Sequence, residues 1–138
     1  MAAEQSAERE LVMRVVEIIE REGLQGIDIH FAEICAPELE WRPTMVGTGT
    51  ETYVGREGYR HYLEELVTSV TNVSFRVDDV RDADGGRVLV LGHLTLAGRD
   101  GSDPVESEYA LLCEVEGGRL RAATAFAAHA AAEEAAGA

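Results

Sequence analysis

Val105-Glu106-Ser107-Glu108-Tyr109-Ala110-Leu111-Leu112-Cys113-Glu114-Val115-Glu116 splits into two faces when every second residue is read together. Val105, Ser107, Tyr109, Leu111, Cys113 and Val115 form one set, and Glu106, Glu108, Ala110, Leu112, Glu114 and Glu116 the other. A period of two marks a β-strand, and the first set is the better wall for an interior. The same period extends on both sides. Upstream, Val73, Phe75 and Val77 alternate with Ser74, Arg76 and Asp78. Asp84-Gly85-Gly86 then reads as a hairpin turn. Arg87 to Ala97 follows as a strand apolar on both faces at its start, as expected when both sides are covered. Downstream, Gly98 to Pro104 and Gly117-Gly118 are turns, and the last strand runs from Arg119 to Ala127. Alternation puts Val88, Val90, Gly92, Leu94, Leu96, Ala123, Ala125 and Ala127 inside. It puts His93, Thr95, Leu120, Ala122, Thr124 and Phe126 outside.

Before Ser69 the period is helical. Leu11, Val12, Val15, Val16, Ile18 and Ile19 make an apolar stripe over a helix from Ser6 to Glu22, with Ser6 as N-cap and Gly23 as stop. Ile27, Phe31 and Ile34 place a short second helix that Ala36-Pro37 ends. Leu39 to Arg42 is a short strand, cut by Pro43, and Thr44 to Thr52 a loop. A third helix spans Arg56 to Ser69, lined by Tyr59, Leu63, Leu66 and Val70. The Ala- and Glu-rich tail is a further short helix. Helices on one face of a curved antiparallel sheet are the expected result, an α+β fold in a single domain over residues 1–138.

Composition narrows the function. All twelve cations are arginine, against 26 carboxylates, for a formal net charge of −14. With no lysine, Schiff-base chemistry is excluded. So acidic a chain repels phosphate backbones and anionic lipid, so neither nucleic acid nor membrane is an expected partner. Met1 to Ser6 has no basic stretch or apolar run, so no secretory signal is expected and the protein reads as cytoplasmic. Cys35 and Cys113 lack ligand spacing and are expected as buried free thiols. His30 and His61 fall on helices and His93 beside Glu106 and Glu108. No two histidines have ligand spacing, so no metal site and no cofactor is expected. Asp78, Asp79, Asp82 and Asp84 read as a solvated hairpin end.

The order and spacing of several segments resemble the SnoaL-like branch of the nuclear-transport-factor-2-like superfamily over nearly the whole chain. They are Pro37-Glu38-Leu39-Glu40-Trp41-Arg42-Pro43, Tyr53-Val54-Gly55-Arg56-Glu57-Gly58, Gly117-Gly118-Arg119-Leu120, and the ending from Phe126 through Ala132-Glu133-Glu134-Ala135-Ala136-Gly137. The resemblance implies a cone-shaped barrel. Its curved, mostly antiparallel sheet carries three N-terminal helices on the concave face, and its interior often holds a small hydrophobic molecule. It implies no single activity. The general base of steroid-isomerase-like members falls on Arg42, their tyrosine donor near Ile18 and their acid near Leu111. The acidic position of polyketide-cyclase-like members falls in Ala125 to Ala128. Of an epoxide-hydrolase-like Asp–Arg–Asp set, Arg42 alone is present. None of these can move a proton, so no catalytic residue is assigned.

The expected function is therefore a SnoaL-like small-molecule-binding protein with a hydrophobic ligand in an apolar cone. The alternative is a SnoaL-like enzyme, of cyclase, isomerase or hydrolase type, acting on a polyketide-like or other apolar metabolite. Arg42, Tyr109 and His129 are the candidate polar handles. Tyr53, Tyr62, Phe75, Leu111, Cys113 and Ala125 are the candidate walls. Trp41 is expected to pack under the helices. On the outer face Ala110, Leu112, Leu120 and Phe126 form an apolar patch rimmed by acids, which predicts a homodimer packed through the sheet.

Overall fold

The computed structural model describes residues 7–43, 52–98 and 103–137, with the backbone alone over 66–73 and 96–98. The expected N-cap Ser6 and the Thr44 loop lie outside the described residues, as do most of the turn after Gly98 and the side chains of Leu66, Val70 and Leu96.

Helix α1, Ala7–Glu22, buries Val12, Val15, Val16, Ile18 and Ile19. It stops at Gly23, whose positive φ of 79° turns the chain while its N–H still reaches the Ile19 carbonyl at 2.8 Å. The second helix of the sequence reading is two pieces, α2 at Gln25–Ile29 and α3 at Phe31–Ile34, broken at His30. Gly26 is where α2 presses on α1, since a Cβ there would meet Ile18 Cγ2 at 2.6 Å. Strand β1, Cys35–Pro43, starts four residues earlier than its apolar alternation suggests. Pro37 is tolerated because the pairing is irregular between Cys35 and Glu40.

After β2, Tyr53–Val54, and helix α4, Gly55–Ser69, come the long strands β3 (Val70–Ala83), β4 (Arg87–Gly98), β5 (Val105–Glu116) and β6 (Arg119–Phe126). Helix α5, His129–Ala135, is the last element described. The curved sheet has the order β2-β1-β6-β5-β4-β3 and does not close; every pairing is antiparallel except β1 with β6. The sheet and the N-terminal helices make the expected α+β cone. Its main core joins Val12, Ile27, Ile34, Leu39 and Trp41 to Val88, Val90, Leu111, Cys113, Ala123 and Ala125.

Two face assignments need correction. Leu120, expected outside, is 1% exposed within the main core. A register shift between Glu114 and Val115 pairs Leu120 with Val115 and turns it inward, a change that alternation cannot foresee. The outer patch is not bare either. Ala132 and Ala136 lie over Leu89, Leu91, Ala110 and Leu112, so among the described residues helices cover both faces of the sheet, with α5 on the outer one. The dimer expectation rested on that patch being open. With Leu112 6% exposed, Leu112→Asp is expected to unfold α5 from the sheet and cost about 3 kcal/mol or more, from lost burial plus a desolvated carboxylate. Urea unfolding checks this; an unchanged midpoint would mean that α5 does not cover Leu112 in solution.

Candidate functional site

The inner wall is aromatic at one end and made of small residues beside it. In β1, Leu39 and Trp41 turn to the core while Glu40 and Arg42 turn away, as the strand's alternation requires. Parallel pairing sets Trp41 beside Ala123 of β6, a small neighbour that leaves room for the indole. Trp41 meets Tyr59 edge-on at 5.1 Å and Tyr62 at 5.8 Å, both from α4. Tyr53 joins from β2, 5.5 Å from Tyr62, and its hydroxyl donates to Glu65. Farther along, Phe75 of β3 meets Tyr109 of β5 at 5.1 Å.

The polar atoms of this wall differ in their partners. Tyr59 donates to the Leu24 carbonyl at 2.8 Å. Trp41 Nε1 is buried and meets no acceptor in hydrogen-bond geometry. It stands near enough to the Tyr62 hydroxyl to offset part of the burial that raises the Tyr62 pKa. Burial lifts Tyr109 well above the ordinary phenol, with smaller contributions from Tyr62 and Cys113. All three phenols are therefore neutral near pH 7, able to donate a hydrogen bond but not to act as bases. Cys35 and Cys113 are free and buried, and burial pushes both thiols up to about 12, which suppresses the nucleophilic thiolate. Among the described residues no charged side chain is buried.

Tyr62, Tyr109, Leu111, Cys113 and Ala125 belong to the main core, and Tyr53 and Phe75 pack against it. Arg42 and His129 do not join them. The Arg42 guanidinium bonds Glu40, Thr124 Oγ1 at 3.3 Å and Glu114 at 3.4 Å on the outer side of the sheet. His129 begins α5 on that same side and contacts the Gly92 carbonyl at 2.7 Å. Neither is a polar handle of the interior. The small inward residues also divide. Ala123 and Ala125 line the wall, but Gly92 faces the β3 backbone and Ala127 is exposed past the end of β6. The sequence reading gave Trp41 a packing role and missed its N–H. Alternation with Arg42 was the available signal, since it sends one of the two inward.

The chain matches the SnoaL-like domain over residues 9–123 and belongs to that family. No curated protein matches it in sequence. Among solved structures, an NTF2-like protein of unknown function from Burkholderia pseudomallei is 20% identical over 97% of this chain and 100% of its own, with a TM-score of 0.73. TerC, co-crystallised with polyporic acid, is 17% identical over 96% of this chain and 100% of its own, with a TM-score of 0.74. A candidate SnoaL-like polyketide cyclase from a Jannaschia species is 19% identical over 98% of this chain and 97% of its own, with a TM-score of 0.70. At such identities the likeness shows a shared fold, the NTF2-like cone.

Proposed function

We propose that the protein holds a small, largely apolar molecule against the inner wall, with a hydrogen-bond acceptor of the ligand facing Trp41 Nε1. The observation that carries this reading is the buried indole N–H, which stands beside the Tyr62 hydroxyl but makes no hydrogen bond of good geometry to it. Leaving such a donor unsatisfied costs about 1–3 kcal/mol, which a carbonyl or ether oxygen of a ligand would recover. The neutral Tyr62 and Tyr109 hydroxyls add donors on the same wall. Apolar contact from Phe75, Leu111 and Ala125 supplies the rest of the affinity. TerC, of the same fold, was co-crystallised with a small molecule, which supports the reading by analogy.

The second reading is an enzyme acting on such a molecule, favoured by the likeness to the candidate polyketide cyclase. Its general base would have to lie outside the described residues of the inner wall. A homodimer also belongs to the proposal. It would form around α5, using the rim near half-buried Phe126, and light scattering of the wild type at micromolar concentration decides it.

Ala125→Phe tests the site. On this reading the added ring takes the place of the ligand against the wall, so a hydrophobic fluorescent probe that quenches Trp41 is expected to lose at least about tenfold in affinity, equivalent to 1.4 kcal/mol. Arg42→Ala, on the far side of the sheet, is expected to leave probe affinity unchanged. Equal binding by wild type and a folded Ala125→Phe variant would move the site elsewhere.

A further inference from the structure

The outer face carries a cluster that the inner-wall reading does not use. His93 of β4 and Glu108 of β5 are register partners. Beyond Phe126 the chain turns back over this face, so that α5 opens with His129. The two imidazoles meet edge to face with centroids 5.4 Å apart. One ring nitrogen of each histidine and one Glu108 oxygen lie within 4.8 Å of one another.

Each of the three groups is oriented by a neighbour that leaves a lone pair available. His129 Nε2 lies 2.7 Å from the Gly92 carbonyl. A carbonyl accepts only, so Nε2 carries the proton and Nδ1 the lone pair, 3.9 Å from Glu108 Oε2. The other Glu108 oxygen, Oε1, accepts the His129 backbone N–H at 2.8 Å. His93 Nδ1 stands 2.7 Å from Asp78 Oδ2. A carboxylate acceptor puts the proton on His93 Nδ1 and leaves Nε2 open. Arg76 also approaches that Nδ1 at 3.1 Å, but it has acceptors of its own in Asp78 and Glu106, each at 3.2 Å. Histidines whose second nitrogen donates to a carboxylate or a backbone carbonyl are the usual arrangement around a bound metal.

We propose that His93, Glu108 and His129 form a binding site for a divalent transition metal of the zinc type, tying α5 to β4 and β5. Two imidazoles and one carboxylate are a three-ligand zinc set, with a fourth position for water. Ligand atoms held about 2.0–2.2 Å from a tetrahedral ion stand about 3.4 Å apart, so closure needs side-chain shifts of about 1 Å. The side chains are 27%, 48% and 23% exposed, in chain order, which leaves room for that movement. The charges facing the site are Asp78, Glu106 and Glu108 against Arg76, a negative balance that favours a cation. Ligand spacing in the sequence predicts no metal because these histidines are brought together by the sheet register and the return of α5.

Titration of the chelator-treated full chain with Zn²⁺, and with Co²⁺ as a spectroscopic substitute, tests the site. The expected result is one ion per chain, a visible cobalt absorption of low-symmetry coordination, and a raised melting temperature on zinc addition. His93→Gln and His129→Gln, checked as folded by circular dichroism, are each expected to lose about 100-fold or more in affinity, and Asp78→Asn about tenfold. His61→Gln, whose ring sits by Glu64 and Glu65 on α4, is expected to bind as wild type. The site is overturned if the wild type takes up neither ion. It is equally overturned if the folded His93 and His129 variants bind like the wild type. Should one variant fail to fold, the cobalt spectrum of the wild type still decides.

Discussion

Trp41→Ala is expected to lower the unfolding free energy by about 3–5 kcal/mol, the range for removing a fully buried large aromatic. The side chain is 1% exposed and bridges β1 to Tyr59 and Tyr62 of α4, so its loss opens a cavity between the strand and the helix. A domain whose total stability is about 5–15 kcal/mol can be left marginal by such a loss. Trp41→Phe separates packing from hydrogen bonding. Phenylalanine keeps most of the ring contact and removes the poorly satisfied N–H, whose burial costs up to about 1–3 kcal/mol. The two effects oppose each other, so the Phe variant is expected to unfold within about 1.5 kcal/mol of wild type. Ligand affinity is expected to behave differently, because the Phe variant has no indole donor. A tenfold or larger loss for acceptor-bearing probes, beside near-normal urea unfolding, assigns the N–H to the ligand. Equal affinity in Trp41→Phe and wild type sinks that assignment.

The alternation of β5 and the helical stripe of α1 are strong local signals, and both elements stand where they were read. Each buries one face of a regular element, so the burial requirement is written into the order of residues. The errors fall where the backbone departs from regularity. Leu120 turned inward because a register shift opposite Glu114 and Val115 changed the phase of β6, and no residue type announces that shift. His30 divided the second helix although Ile27, Phe31 and Ile34 keep helical spacing. The return of α5 over Leu89 and Leu112 depends on a long-range contact that the Ala-rich tail does not encode by periodicity. The packing of the aromatic wall was legible because apolar strand residues on one face must meet the helices. Arg42 and His129 were misplaced for separate reasons. Arg42 follows Trp41, and a strand sends neighbours to opposite faces, so it had to point away once Trp41 pointed in. His129 lies past the end of β6, where strand parity no longer applies.

Gly92→Ala is expected to destabilise the protein by about 3 kcal/mol or more, at or above the upper end of ordinary overpacking. Alternation places Gly92 on the inner face, and its surroundings in the structure show that the β3 backbone closes over it. A Cβ at this position would meet the Arg76 carbonyl oxygen at 2.2 Å and the Val77 Cα at 3.1 Å. These are backbone atoms, and a strand cannot rotate them aside as it would a side chain. The contact sits beside the irregularity between Val77 and Asp79, where β3 shifts its register against β4. Relief therefore requires moving the whole β3–β4 hairpin, and the Gly92 carbonyl that holds His129 moves with it. Gly117→Ala is the matched control. Its φ of 62° is in the left-handed region, but nothing lies within 4 Å of a Cβ there, so the cost is backbone strain alone, about 1–2 kcal/mol. Urea unfolding of the two variants side by side distinguishes steric exclusion from positive-φ backbone strain. Equal midpoints would show that β3 does not approach β4 this closely in solution.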